Sequence, residues 1–100
     1  MKRSVLMALL ATILTVTPLL AGAKRLEGVL NLNTASVQEL TLLPGVGESK
    51  AKAIIAYRQA HPFKAAEELT EVKGFGQGML RKIEKHLAVQ GPSTLHEVAP

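Results

Sequence analysis

The chain has 100 residues, with 12 Lys and Arg against 8 acidic residues and a formal net charge of +4. It has no cysteine, which excludes a disulfide framework, a thiolate metal site and a lipid-modified N-terminal cysteine. All eight acids are glutamates, so metal sites or general bases built on aspartate are excluded too.

Lys2 and Arg3 precede an apolar run from Val5 to Val16, Pro18 follows, and the small residues Ala21, Gly22 and Ala23 close the stretch. This order predicts a secretory signal over residues 1–23, cleaved after Ala23, which would place the mature chain in the periplasm or outside the cell. The alternative is an uncleaved membrane anchor, since the apolar stretch is nearly long enough to span a bilayer. Without Lys2 and Arg3, ten basic residues face eight acidic ones, a net +2. Overall charge therefore does not by itself announce nucleic acid. A linker is expected over residues 24–30, a folded unit over 31–89 and a flexible tail over 90–100, where GPSTLHEVAP has turn formers and no periodicity.

Ser36 with Glu39 three residues later forms a capping-box pattern, which predicts a short helix from Val37 to about Leu42. Pro44 stops it. Helix resumes near Glu48 and runs to about Ala60, with Ala51, Ile54 and Ile55 on one buried face. His61-Pro62-Phe63 ends that helix. A short helix near Ala65 to Leu69 follows, then the turn KGFG, then a helix from about Gln77 to Leu87 that buries Leu80, Ile83 and Leu87. Apart from a few residues around Val29 to Leu32, no segment has strand periodicity.

The plan is written twice. At an offset of 29 residues Glu39, Leu40, Thr41, Gly45, Gly47 and Ile54 meet the identical Glu68, Leu69, Thr70, Gly74, Gly76 and Ile83. Such a repeat marks one supersecondary unit used twice. Neither unit can bury its apolar face alone, because even a domain of about sixty residues is marginal. The expectation is an all-α domain of about four to five short helices, in which the two units pack about an approximate two-fold axis.

Each unit places two glycines around one apolar residue, Gly45-Val46-Gly47 and Gly74-Phe75-Gly76. One glycine suffices to turn the chain. The second, directly before a helix, lets an outside group approach the free N–H groups and positive dipole end of the first turn. That arrangement suits an anion, and the phosphates of a nucleic acid are the natural candidate. Val46 and Phe75 are expected to point inward and pin the turn. Two such sites about a two-fold axis match the two backbones of a duplex.

NLNTASVQELTLLPGVGESKAKAIIAYRQAHPF followed by ELTEVKGFG resembles the helix-hairpin-helix domain of the ComEA family of competence proteins over about Leu30 to Leu87. The resemblance implies a secreted or surface-anchored receptor that binds double-stranded DNA without sequence preference during uptake for natural transformation. It implies contacts from the backbone amides of Gly45, Val46, Gly47, Gly74, Phe75 and Gly76, with Lys50, Lys52, Lys73, Arg81 and Lys82 as nearby cations. It implies no cofactor and no catalysis.

These cations differ in their setting. Lys52 stands four residues after Glu48 in the favourable orientation for a helical ion pair, and Arg81 stands three before Glu84. Lys82 and Lys85 share one face and Lys73 adjoins the second turn, so the second hairpin is expected to carry the stronger positive field. Gln77 and Gly78 occupy positions where the family often has lysine, which predicts weaker affinity. Phe63 and Phe75 read as core, which disfavours single-strand binding by base stacking.

Two further readings compete. Some helix-hairpin-helix proteins are DNA glycosylases with an aspartate beyond the hairpin, which this chain lacks; His61, His86 and His96 are scattered and read as surface positions. A structural module of the extrinsic photosystem II subunit type uses a tandem hairpin for protein contact instead. Binding of envelope DNA unrelated to competence is a third possibility.

Overall fold

The capping box at Ser36 forms as its sequence requires: the Ser36 hydroxyl accepts from the Glu39 amide at 3.1 Å, and the Glu39 carboxylate accepts from the Ser36 amide at 2.9 Å. These bonds satisfy donors that a helix start would otherwise leave open. The computed structural model describes residues 25–99. The expected signal over residues 1–23 lies outside them. No helix among the described residues is long and apolar enough to cross a membrane.

The first unit comprises α1 (Val37–Leu40) and α2 (Glu48–Ala60). The second comprises a 3-10 helix (Ala66–Glu71) and α3 (Gln77–Ile83), followed by a 3-10 turn (Glu84–His86). Sequence periodicity located all of these; the final helix changes to 3-10 geometry at Glu84 and ends before Leu87. Leu40, Leu43, Ile54, Leu69 and Ile83 are fully buried, and Ala51, Leu80 and Phe63 join them in one core. Ile55 is only half-buried at its edge.

The repeat is reproduced bond by bond. Leu43 and Val72 each donate three residues back, to the carbonyls of Leu40 and Leu69 at 3.1 and 3.0 Å. Thr41 and Thr70 each turn their hydroxyl onto the carbonyl three residues earlier, Gln38 and Glu67. The two units also contact each other reciprocally: Lys50 meets Met79, its own repeat equivalent, at 3.8 Å. A contact between equivalent residues maps onto itself when the units exchange. It therefore lies on the pseudo two-fold axis.

The all-α expectation needs correction, because four short strands flank the helices. β1 (Arg25–Glu27) pairs antiparallel with β4 (His96–Val98), in the register Arg25 with Val98, Leu26 with Glu97 and Glu27 with His96. β2 (Leu30–Asn31) pairs parallel with β3 (Leu87–Ala88). Leu30 and Leu32 are fully buried, so the backbone that carries them needs partners inside the protein. β3 supplies them as the chain leaves the last helix. A two-residue strand is too short for an alternating pattern to show.

The same demand corrects the expected linker over 24–30 and the flexible tail over 90–100. The Leu95 and Thr94 amides both donate to the Val29 carbonyl, the Ser93 hydroxyl accepts from the Asn31 amide at 2.9 Å, and Leu95 is buried. The tail straps the segment before β2 to the core.

That strap explains the Asn31-x-Asn33 pattern. Asn31 is 4% exposed; its amide group donates to the Gly91 carbonyl at 2.7 Å and its Oδ1 accepts from the Asn33 backbone at 2.8 Å. The Asn33 side chain donates to the carbonyls of Phe63 and Val89 at 2.9 and 3.0 Å and accepts from the Phe63 amide at 2.7 Å. Arg58 on α2 adds two donors, to the carbonyls of Leu32 and Ala35 at 3.0 and 2.8 Å. Burial lowers the Arg58 pKa from its ordinary value. Among the described residues no buried side-chain polar atom lacks a partner.

Candidate nucleic-acid interface

Gly45 and Gly74 have φ of +82° and +96°, which a side chain disfavours, and they turn the chain between helices. Gly47 and Gly76 are different. They are the N-caps of α2 and α3 in extended conformation, at φ −91° and −113°, and nothing lies within 4 Å of where a Cβ would stand. Their backbone would accept any residue. What they leave is open space in front of a helix end that has no side-chain cap.

The free donors follow from the bonding. The Val46 and Phe75 amides donate within their own turns, to the carbonyls of Leu43 and Val72 at 3.0 and 3.1 Å. Regular helix bonding begins with Ala51 donating to Gly47 and Leu80 to Gly76. The N–H groups of Gly47, Glu48, Ser49 and Lys50, and of Gly76, Gln77, Gly78 and Met79, have no protein acceptor. This corrects the carried-over donor set: Val46 and Phe75 are internal pins, 4% and 5% exposed, with internally bonded amides. Burying each apolar side chain contributes about 1.5–3 kcal/mol, which keeps both turns rigid.

The cations are exchanged between units. Lys50 leaves α2 and crosses to the second turn, where its stem lies 3.5 Å from a Cβ position on Gly74 and its ammonium sits 5.8 Å from the centre of the Phe75 ring. Reciprocally, Met79 of α3 reaches the first turn, 3.0 Å from the corresponding position on Gly45. Lys82 lines the same concavity of about 420 Å³ as Pro44, Gly45, Lys50, Gly78 and Met79. The first turn thus takes its cation from the second unit. The expectation of a stronger field at the second hairpin is corrected accordingly, because packing across the axis carries Lys82 toward Gly45.

Lys52 pairs with Glu48 at 3.6 Å, both side chains well exposed. Such a pair is worth little, but it holds a carboxylate beside the first turn. Lys73 and Arg81 are exposed; Arg81 forms no ion pair with Glu84 and lines neither of the two concavities described for the domain. The sequence reading missed Met79 as a neighbour of the first turn. Its place 29 residues after Lys50 was the available signal. His61 lies 5.1 Å from the Tyr57 ring, His86 faces the Gly28 carbonyl and His96 that of Thr94. Among the described residues no three His, Asp or Glu side chains gather closely enough to hold a metal ion.

Two glycine turns, each opening on an uncapped helix start and related by a two-fold axis, define a tandem helix-hairpin-helix domain. The chain belongs to the helix-hairpin-helix motif family, whose model matches residues 27–88. It is similar to ComE operon protein 1 of Bacillus subtilis, 43% identical over 63 residues, covering 62% of this chain and 31% of that protein. It is also similar to a deoxyribonuclease of a Thioalkalivibrio species, 44% identical over 57 residues, or 57% of this chain and 15% of that protein. An uncharacterized Haemophilus influenzae protein is 47% identical over 55 residues, covering 53% of this chain and 49% of its own length. The chain therefore matches less than half of each of these relatives. The ComEA resemblance stands on the family match together with ComE operon protein 1.

Proposed function

We propose that the chain binds double-stranded DNA without sequence preference through phosphate contacts made by its two hairpin turns, in the periplasm, in support of DNA uptake for natural transformation. The observation that carries this reading is the duplicated uncapped turn, with four free amides at each helix start and a lysine brought across the axis to each turn. Phosphates are the one feature that every duplex repeats on both strands. No base-reading element accompanies the turns, so binding is non-specific and governed by counterion release. The protein is read as a binder, not an enzyme: the relative named a deoxyribonuclease shares only 15% of its length with this chain.

A random-sequence duplex is expected to shift at low salt and be released as salt rises, with a slope near −0.9 per neutralised phosphate. About four contacts would cost about 100-fold in affinity between about 50 and 200 mM salt. Salt-independent binding, or none, rejects the DNA reading and favours a protein-contact module. Loss of transformation on deleting the gene separates uptake from other envelope DNA binding.

Glu48→Gln removes the carboxylate beside the first turn and frees Lys52. Duplex affinity is expected to rise about twofold to fivefold, while the lost dipole interaction costs the fold about 0.3–1 kcal/mol. An unchanged or weakened affinity would show that this turn does not face phosphate. For localisation, the mature protein is expected to begin at Lys24 by mass measurement; a full-length, membrane-bound species supports the anchor.

A further inference from the structure

A second concavity, of about 380 Å³, lies on the side of the first hairpin away from the axis and is lined by Arg25, Leu26, Pro44, Lys82, Lys85 and His86. It shares Pro44 and Lys82 with the concavity between the turns, so the two form one continuous surface. No carboxylate lines it. Lys82 and Lys85 take part in no ion pair, and the Arg25 pair with Glu27, 3.6 Å long with both side chains more than half exposed, is too weak to hold Arg25 away from an anion.

The repeat does not account for this cluster. The residues 29 positions before Lys82, Lys85 and His86 are Ala53, Ala56 and Tyr57, so the first unit has no counterpart to offer the second turn. The cluster is assembled by the strands. β4 holds β1 in place, which puts Arg25 opposite Lys85, and the His86 ring is fixed as a wall by its 3.1 Å contact with the Gly28 carbonyl. The strap packs closely there, since a Cβ on Gly28 would stand 2.5 Å from the Thr94 carbonyl oxygen. Three cations gathered without an acid repel one another until an anion joins them.

We infer that Arg25, Lys82 and Lys85 form a third phosphate seat, outside both hairpin turns, that extends the DNA contact to one side of the first hairpin and makes the footprint asymmetric. This inference rests on the reading that the turns bind a duplex. A strand that passes the first turn meets Lys82 and then this seat without leaving the surface. The second turn has no such extension.

The test compares Lys85→Gln with Lys64→Gln, which changes net charge equally at an exposed site lining neither concavity. Both are made in the protein purified as its host produces it, and duplex affinity is measured as a function of salt. Lys85→Gln is expected to flatten the salt slope by about 0.9 and Arg25→Gln to do likewise, while Lys64→Gln leaves the slope unchanged. Equal effects of Lys85→Gln and Lys64→Gln, or no change in either seat variant while the parent protein binds with a clear salt slope, overturn the third seat and leave the hairpin reading intact. Failure of the parent protein to bind any duplex overturns both. Thermal melts of the variants exclude unfolding as the cause, since Lys85 and Arg25 are exposed.

Discussion

Replacing Gly47 and Gly76 together with valine is expected to abolish duplex binding while the helical fold survives. Both residues are N-caps with ordinary extended backbone and empty space at the Cβ position, so no clash and no strain oppose the substitution. The cost to the fold is the poorer capping of valine relative to glycine, about 0.5–1 kcal/mol per site. For binding the consequence is large. A phosphate oxygen has to come within about 2.9 Å of the first-turn amides, and a branched side chain in front of them prevents that approach. Losing a charge-assisted set worth about 1.5–3 kcal/mol at each turn lowers affinity about 10- to 100-fold per turn.

The paired control is Gly45→Ala with Gly74→Ala. There the positive φ makes any side chain cost about 1–2 kcal/mol of stability per site, so these variants lower the melting temperature first. Circular dichroism melts and fluorescence anisotropy on a labelled duplex separate the two classes of glycine. Unchanged affinity in the valine variant would show that the turns do not receive phosphate.

Asn33→Ala is expected to have the largest effect on stability, with the interface unchanged. One side chain makes three hydrogen bonds to two separate segments, the Phe63 turn after α2 and the Val89 exit from β3. At about 1 kcal/mol each, their loss destabilises the domain by about 2–4 kcal/mol once the stranded carbonyls and amide are counted. In a domain of this size that corresponds to a fall of about 10–20 °C in melting temperature. Duplex affinity measured well below the new midpoint is expected to match the parent, because Asn33 lines neither concavity. A loss of affinity without a loss of stability would mean that Asn33 touches the ligand.

Much of the fold was legible because it is local. The capping box at Ser36, the stop at Pro44 and the spacing of Ala51 and Ile54 each act within one or two turns of chain, and each element lies where those signals put it. The candidate site was legible through duplication, since a glycine pair that recurs 29 residues later is improbable as decoration. Donor identity was not. Whether the Val46 amide faces out or back to Leu43 depends on a bond three residues away that no residue preference reveals.

The amino-acid sequence by itself determined the helical units, their repetition and the inward pins Val46 and Phe75, because helix periodicity and turn chemistry are written in neighbouring residues. Only the tertiary structure decided which lysine serves which turn and that the chain ends form strands. Packing about a two-fold axis sends Lys50 and Lys82 to the opposite units, and the need to pair the buried backbone at Leu30 to Leu32 recruits residues more than fifty positions away.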